Sequence, residues 1–317
     1  MASTLFQRVP YACLNGAPSV HFLAGCTAGC TFCYLRGHDE APPPTEVEPI
    51  ENAIERITEA LSTLPRSAPP VKHVIVDPGV DLFPSNPRAQ DTAYRLLRAL
   101  FERKIGVSFF TKGTLTRRFI DLFSVNQGRV RARVALTTMD PRLAAELEPH
   151  AAPPVDRLDT IAALSSLDAL ADVRVDPLVP GLNDTGVAIG ELLGNLHDLR
   201  VPRVVVSYVH LRPAMRSHLV RLVPPDMKRL IEDAYLKQPW VASGAPTEVK
   251  LLPRTYREEG YLRFRQLADP LGIPVSVCQC KNLDLSGDSC GLADQKLTTM
   301  GARPSVLPTS RPTLFPC

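Results

Sequence analysis

SVHFLAGCTAGCTFCYL, residues 19–35, joins a short apolar run to a loop that carries three cysteines. The run predicts a buried strand, because it is short and apolar and ends at a loop. Cys26, Cys30 and Cys33 follow it directly, with the spacing C-x3-C-x2-C. Three thiolates on one loop can hold a metal centre while one of its corners stays open. The stretch therefore predicts a metal centre at the carboxyl end of a strand, where the sites of βα barrels are built.

The alternation of apolar runs and helical patterns continues to about residue 222. Six strands separated by helices predict successive βα units and a parallel sheet. Right-handed crossovers would curl this α/β sheet into a partial parallel (β/α)6 TIM-like barrel. An open doubly wound sheet is the alternative, although no G-x-G-x-x-G follows the first strand. The predicted strands cover residues 19–25, 72–79, 106–113, 129–138, 173–181 and 203–211, and the helices between them cover 49–64, 92–104, 115–123, 155–170 and 185–199.

The alternation of strand and helix patterns stops after residue 222, and we divide the chain there. Residues 1–222 are predicted to form the core. Residues 223–317 are predicted to form a small C-terminal lobe with two helices, a strand over 273–277 and a second group of cysteines. A chain of 317 residues is long enough to bury one large α/β core and a smaller lobe.

Composition sets limits on the partners. Lys and Arg number 36 against 33 Asp and Glu, and a net charge of +3 gives no support for binding to nucleic acid or to a membrane surface. The sequence has no run of about 18 apolar residues, and its first residues lack the basic and apolar regions of a signal peptide. We therefore expect a cytoplasmic protein, in which clustered thiols are metal ligands or catalysts and not disulfides.

Two aromatic residues, Phe32 and Tyr34, flank the third cysteine of the loop. A zinc site with His38 as the fourth ligand is one interpretation. The spacing and the aromatic residue also resemble the radical S-adenosylmethionine (SAM) superfamily, whose signature is C-x3-C-x-aromatic-C after the first strand. The resemblance implies that the three cysteines hold a 4Fe–4S cluster and that its open iron binds SAM. One electron from an external donor, such as flavodoxin or ferredoxin, would then split SAM and give a 5′-deoxyadenosyl radical.

Further stretches resemble the spore photoproduct lyase branch of that superfamily and its uncharacterised relatives. They lie within roughly residues 19–215 and include CTFCYLRG, FFTKGTLTRRFIDLF, RVRARVALTTMDPRLAAELEPHAAPPVDRLDTIAAL and VDPLVPGLND. The photoproduct lyases use a cysteine close to the active site as hydrogen donor to a DNA lesion radical. No cysteine lies between Cys33 and Cys278 in this chain, so DNA repair by that chemistry is poorly supported.

The same resemblance implies contacts to SAM. The turn after the second strand, residues 77–81, occupies the place of the superfamily's Gly-Gly-Glu turn, which grips the methionine amino group. Lys112 could pair with the methionine carboxylate or lie solvated at the end of its strand. Arg157 could reach that carboxylate, or it could form an ion pair with Asp159 or Glu148.

The fourth strand ends in Thr137 and Thr138, which could hydrogen-bond the ribose or the substrate, or could cap the strand. At the start of that strand Arg129, Arg131 and Arg133 share one face. They could meet phosphate, but a solvated strand entrance is favoured. The full set of predicted cofactor contacts is Tyr34, Asp77, Gly79, Asp81, Lys112, Thr137, Thr138 and Arg157.

CQCKNLDLSGDSC, residues 278–290, holds the second group of cysteines, with the spacing C-x-C-x9-C. It fits a structural zinc site or an auxiliary 4Fe–4S cluster, as in radical SAM enzymes with a C-terminal cysteine lobe. The fourth ligand would be Cys317 or Cys13. Cys13 could otherwise be a small buried residue, or a catalytic thiol that gives a hydrogen atom to a product radical. The predicted ligands of the two clusters are Cys26, Cys30, Cys33, Cys278, Cys280, Cys290 and Cys317.

These features predict a radical SAM enzyme that takes a hydrogen atom from a small-molecule or nucleoside-like substrate. Epimerisation, sulfur insertion and dehydrogenation all fit, with the second cluster assisting. Three alternatives stay open: a DNA photoproduct lyase-like repair enzyme, a radical SAM peptide-modifying enzyme and a non-enzymatic zinc-binding module. Salt-dependent affinity for DNA would favour the first.

Overall fold

The computed structural model describes residues 6–8, 18–33, 46–64, 70–213, 216, 224–242, 248–282 and 284–285. Four predicted site residues lie outside these ranges: Cys13, Tyr34, Cys290 and Cys317. The side chain of Cys280 lies outside the described structure as well. The roles assigned to these five residues stay predictions.

The described strands are β1 (Phe6–Arg8), β2 (Pro18–Val20), β3 (Leu23–Gly25), β4 (Val47–Pro49), β5 (His73–Val76), β6 (Gly106–Thr111), β7 (Val130–Ala135), β8 (Leu170–Leu178), β9 (Val204–Tyr208) and β10 (Val275–Val277). The described α-helices are α1 (Ala53–Ser62), α2 (Pro87–Glu102), α3 (Arg117–Ser124), α4 (Pro141–Leu147), α5 (Pro154–Ser166), α6 (Gly186–His197), α7 (Pro225–Leu236) and α8 (Arg254–Ala268).

One sheet holds eight of these strands, in the order β1-β2-β5-β6-β7-β8-β9-β10. From β2 to β10 each strand is parallel to its neighbour, whereas β1 runs antiparallel to β2. The order in the sheet follows the order in the chain, as successive βα units with crossovers of one hand require. In the described residues β1 and β10 lie at opposite edges and do not pair, so the sheet is open. The predicted α/β fold with a partial TIM-like barrel is confirmed.

The first predicted strand, residues 19–25, is interrupted at His21 and Phe22. β2 pairs with β5, but β3 leaves this sheet and pairs with β4 in a separate antiparallel ribbon. At the break, the backbone N–H of Asp77 donates to the carbonyl of Val20 at 2.9 Å, and the N–H of Phe22 donates to the Asp77 carboxylate at 3.3 Å. The loop after β5 therefore takes over the pairing of β2, and the chain turns towards the cysteine loop.

The last strand, β10, comes from the segment after residue 222. Val275 and Val277 are in register with Val204 and Val206 of β9, so this segment adds a seventh parallel strand to the six predicted. α8 packs against both β10 and α6. The division at residue 222 stays a prediction. The segment after this residue supplies one edge of the main sheet.

The outer face of the sheet is apolar and is covered by helices. Phe109 of β6 stacks on Phe123 of α3 with ring centroids 5.8 Å apart, and Phe83 meets Phe109 and Phe119 edge to face at 5.3 and 4.7 Å. Each such contact adds about 0.5–1.5 kcal/mol beyond the burial of its surface. Among the described helices, none combines the length and the apolar character needed to span a bilayer.

Alternate residues of each strand point away from the helices and form the inner face of the sheet. Many of these residues are polar. Phe110 of β6 is in register with Arg133 of β7, and Arg133 with Asp172 of β8. Arg174 lies two residues further along β8, on the same face. Arg133 is 1% exposed, and its Nε lies 3.2 Å from Asp172 Oδ2. The expectation of a solvated strand entrance is thus wrong for Arg133, because the neighbouring strand supplies a buried carboxylate.

Gly260 provides a test of how α8 packs on the sheet. A Cβ at this position would lie 1.8 Å from the hydroxyl of Tyr208, which itself donates to Asp184 at 2.9 Å. We expect Gly260→Ala to lower the free energy of unfolding by about 1–3 kcal/mol or more, because the helix must move away from β9. Urea unfolding followed by circular dichroism measures the change.

The matched control is Gly190→Ala in α6, where an added Cβ meets no atom within 4 Å. This exposed helical site should gain about 0.5–1 kcal/mol, because alanine loses less conformational freedom on folding than glycine does. Equal unfolding midpoints for the Gly260→Ala variant and the wild type would contradict the packing described.

Candidate active site

The cysteine loop is fixed against the chain that follows α4. The backbone N–H and the hydroxyl of Thr31 both donate to the carbonyl of Leu147, at 2.9 and 3.2 Å. In return, the N–H of His150 donates to the carbonyl of Ala28 at 3.2 Å. Gly29 has φ +62°, and a Cβ there would lie 2.8 Å from the His150 ring. The loop can approach so closely only because a glycine occupies this position.

Cys26, Cys30 and Cys33 form no disulfide bonds, and Cys30 is buried. Burial raises the pKa of Cys30 well above its ordinary value, Lys112 opposes this shift, and the other two thiols add to it. Burial likewise raises the pKa of Cys26, and the carboxylate of Asp81 raises it further. The three thiols are therefore close enough to influence one another, which fits a shared iron–sulfur cluster with soft thiolate ligands.

Within the described ranges, no three His, Cys, Asp or Glu side chains converge on the position of a single metal ion. The ligands of a four-iron cluster bind separate irons and do not need to converge in that way. His38, the alternative zinc ligand, lies outside the described residues.

The predicted Asp77–Asp81 turn lies beside the cysteine loop, and the Asp81 carboxylate holds it in place through hydrogen bonds. Asp81 accepts hydrogen bonds from the Thr111 hydroxyl at 2.8 Å, the Lys112 N–H at 2.5 Å and the Phe83 N–H at 2.9 Å. Its backbone N–H bonds to the Cys26 thiol. Asp81 therefore joins the ends of β5 and β6 to the first cysteine.

The rest of that turn is tight and partly buried. The N–H of Val80 donates to the carbonyl of Asp77 at 3.0 Å, and Gly79 lies between them, half-buried. Asp77 is fully buried and has a left-handed backbone with φ +38°. The contacts of Asp77, Gly79 and Asp81 with SAM stay predictions.

Lys112 and Arg157 share one carboxylate, that of Glu148. Lys112 Nζ lies 2.5 Å from Glu148 Oε1, and Arg157 Nη1 lies 2.5 Å from Oε2. Arg157 also donates to the carbonyls of Ala152 at 2.7 Å and Ala135 at 3.0 Å. Of the two ion pairs that the sequence left open for Arg157, the structure shows the one with Glu148. The contacts of both cations with the methionine carboxylate stay predictions.

The opposite charges in this network favour the ionised forms of Glu148 and Lys112. Burial alone would raise the pKa of Glu148, but Lys112 and Arg157 outweigh it and lower the pKa below the ordinary value. Burial alone would lower the pKa of Lys112, but Glu148 raises it. Two cations and one anion leave an excess of one positive charge. Lys112, whose side chain is 18% exposed and 5.2 Å from the ring centroid of Phe32, is the member that faces the cysteine loop.

Thr137 and Thr138 are buried at the end of β7 and take part in local bonds. The hydroxyl of Thr137 donates to Glu148 Oε2 at 3.4 Å, and that of Thr138 accepts from the Asp140 N–H at 3.1 Å. Asn183 donates to the carbonyl of Thr137 at 2.8 Å and holds the ends of β7 and β8 together. The capping role proposed for the threonines is therefore visible, while contacts with ribose or substrate stay predictions.

The second cysteine segment reaches the inner face of the sheet. Cys278, directly after β10, is buried and forms no disulfide bond. Lys281 Nζ lies 2.5 Å from Asp176 Oδ1 on the inner face of β8, and the Lys281 carbonyl lies 2.5 Å from the ring nitrogen Nε2 of His210. Arg257 of α8 fixes the same segment through Asn282, at 2.9 Å, and Asp284.

The sequence identified Glu148 as a possible partner of Arg157 but not as the shared partner of Lys112. It did not identify Asp176 or Lys281. Asp176 and Lys281 are 105 residues apart in the chain, and no local pattern links them.

No protein-family model matches this chain. An uncharacterised protein of Mycobacterium tuberculosis is 26% identical over 271 residues, which cover 81% of this chain and 76% of that protein. A protein of Pseudomonas phage M6, named radical SAM Nalpha-GlyT isomerase, is 26% identical over 258 residues, which cover 80% of this chain and 51% of that protein.

Two solved structures share the fold. Spore photoproduct lyase in complex with a dinucleoside spore photoproduct matches with a TM-score of 0.62 and 13% identity, over 82% of this chain and 75% of that one. A radical SAM methyltransferase from Sphaerobacter thermophilus matches with a TM-score of 0.51 and 19% identity, over 83% and 65%. The phage relative supports the resemblance to the radical SAM superfamily, and the chain shares its fold with spore photoproduct lyase and the methyltransferase.

Glu148→Gln tests the network. The variant leaves two buried cations with no anion between them, so we expect the free energy of unfolding to fall by about 3–5 kcal/mol. The exposed Glu146 of α4 supplies the control, since Glu146→Gln should change stability by less than about 0.5 kcal/mol.

The pH dependence should change in a defined direction. The pKa of Glu148 is lower in the folded protein than in the unfolded chain. Ionised Glu148 therefore adds its full share to the free energy of unfolding above the ordinary pKa of 4.5. This share is lost as the pH falls towards the lowered pKa. We measure the free energy of unfolding by urea unfolding at a series of pH values. In Glu148→Gln it should fall less with decreasing pH than in the wild type. An unchanged acid profile would contradict the arrangement.

Proposed function

We propose that this radical SAM enzyme binds a 4Fe–4S cluster at Cys26, Cys30 and Cys33, cleaves SAM reductively and removes a hydrogen atom from a small, polar or nucleoside-like substrate. When bound, the cluster and SAM supply the one-electron cleavage and the 5′-deoxyadenosyl radical. The observation that carries the proposal is the position of three thiols, none in a disulfide, beside the Lys112–Glu148–Arg157 network at the carboxyl ends of parallel strands.

The chain's own contribution begins with the placement of the thiols. The bonds from Thr31 to Leu147 and from His150 to Ala28 hold the loop at the mouth of the partial barrel. Lys112 lowers the cost of ionising Cys30, because its positive charge offsets the burial of the thiolate. A cluster with three protein ligands keeps one iron available for SAM.

Lys112 is the residue best placed to bind the methionine carboxylate. It is the more exposed of the two cations on Glu148, at 18% against 1% for Arg157. Arg157 is tied to two backbone carbonyls and positions Glu148. Lys112 can therefore turn to an incoming carboxylate while Arg157 keeps Glu148 neutralised.

The inner face of the sheet supports a polar substrate. Asp176 and Lys281 lie near the carboxyl ends of the strands and keep part of their surface exposed, and Arg133, Asp172 and Arg174 are buried further along the same face. Such charged groups would be left poorly solvated by a purely hydrocarbon substrate. Among the reaction types considered, epimerisation is supported by the name of the phage relative, an isomerase.

The second cysteine segment is proposed to hold an auxiliary 4Fe–4S cluster through Cys278, Cys280, Cys290 and Cys317. Support comes from the buried Cys278 thiol at the end of β10, which forms no disulfide, and from the Lys281–Asp176 ion pair, which fixes the segment to the inner face. An external flavodoxin or ferredoxin in a reducing cytoplasm would supply the electron.

The primary test is formation of 5′-deoxyadenosine from SAM by reduced, anaerobically reconstituted protein, measured by chromatography. We expect product with the wild type and its loss in Cys30→Ala, because two thiolates do not retain the cluster. Thr27→Ala, in the same loop, is the matched control and should keep the activity. Product from Cys30→Ala equal to that of the wild type would contradict the assignment.

Iron content tests the second cluster. The reconstituted wild type should hold about eight irons per chain, four for each cluster, and Cys278→Ser should hold about four. Iron and zinc are measured together by plasma mass spectrometry. One cluster in the wild type, or zinc in place of the second, would contradict this part of the proposal.

A further inference from the structure

His21 and Asp77 form a pair at the mouth of the barrel. His21 follows β2 and Asp77 follows β5, so each stands at the carboxyl end of its strand, and the two strands are parallel neighbours. His21 Nδ1 lies 3.5 Å from Asp77 Oδ1. The imidazole is one third exposed, whereas the carboxylate is fully buried.

The carboxylate is held in place for this contact. Asp77 Oδ2 accepts the N–H of Phe22 at 3.3 Å, and the backbone N–H of Leu23 also bonds to the carboxylate. Among the described residues, no group makes a hydrogen bond to Oδ1 in this conformation, and His21 Nδ1 is its ion-pair partner. The left-handed backbone of Asp77, φ +38°, is a strained conformation maintained by these bonds.

The pair faces the substrate side of the sheet. Ser19 is in register with Ile75, and Ile75 with Ser108, whose neighbours on β6 place it on the inner face. His21 follows the end of β2, and its ring contacts the Ser19 side chain, so the ring lies on that face as well. Its Nε2 is 3.5 Å from the Ser19 hydroxyl, a long contact that a substrate group could replace.

We propose that His21 is a general acid–base group for the substrate and that Asp77 is its positioning residue. With Nδ1–H directed at Asp77, the lone pair of Nε2 is available. A substrate O–H or N–H proton moves to Nε2, which leaves an anion on the substrate and an imidazolium balanced by Asp77; no electron is transferred in this step. The substrate therefore carries an exchangeable proton next to the carbon that loses hydrogen. This last point rests on the proposed function, but the geometry of the pair does not.

The tautomer of His21 tests the proposal without an identified substrate. The full chain is labelled with 15N-histidine, and the ring nitrogens are observed by NMR, with the His21 signals assigned from their absence in His21→Gln. We expect the neutral ring of the wild type to carry its proton on Nδ1. In Asp77→Asn, whose side chain tolerates the left-handed backbone, we expect loss of this tautomer.

His73 is the internal control, because its ring nitrogen bonds to the Ser108 hydroxyl at 2.8 Å and not to a carboxylate. Its signals should be the same in the wild type and in Asp77→Asn. A change in the His73 signals would mean that the variant disturbs the sheet. In that case the tautomer of His21 in the wild type alone decides whether the proposal holds.

Reactivity provides a second measurement. Diethyl pyrocarbonate should modify His21 at Nε2, as located by peptide mass spectrometry, and the rate should fall several-fold in Asp77→Asn. A wild-type ring protonated on Nε2, or a His21 that does not react, would overturn the proposal. Both measurements are made on the cluster-free chain, so their outcome is separate from any failure to cleave SAM.

Discussion

The carboxylate of Glu148, shared between Lys112 and Arg157, is the interaction on which the rest of the site depends. Its two ion pairs at 2.5 Å join the end of β6 to α5, and the residues on either side of it, Leu147 and His150, hold the cysteine loop. A buried glutamate with one partner would be costly, and with two it remains ionised and leaves one positive charge for an incoming anion. The structural support of the site and the proposed recognition of the cofactor thus involve the same few atoms.

The inner face of the sheet repeats this arrangement at a larger scale. Asp172 lies within 3.3 Å of guanidinium nitrogens from Arg133, Arg174 and Arg203, and Asp176 pairs with Lys281 from the C-terminal segment. Among the described elements, helices pack on the outer face, which is apolar and rich in aromatic rings. The parallel sheet therefore has one apolar face and one charged face.

Much of the fold could be predicted from sequence, because strand runs and helix periodicity are local. The cysteine spacing is equally local, and it led to the superfamily. Contacts between distant residues could not be found in this way: Asp176 meets Lys281, and Asp77 approaches His21, only after the strands pair. The burial of Arg133 was missed for the same reason, since its partner Asp172 lies on the next strand. The joining of β10 to β9 was missed because a three-residue strand has no recognisable partner in the sequence.

The central claim is that three thiolates hold a cluster with one iron open to SAM. The most direct test is the electron paramagnetic resonance spectrum of the reduced, reconstituted full chain, recorded before and after addition of SAM. Cys278→Ser should be used, so that the first cluster alone contributes. We expect SAM to change the shape and position of the signal, because it binds to the open iron. A spectrum that is identical with and without saturating SAM, from protein with a full complement of iron, would contradict it.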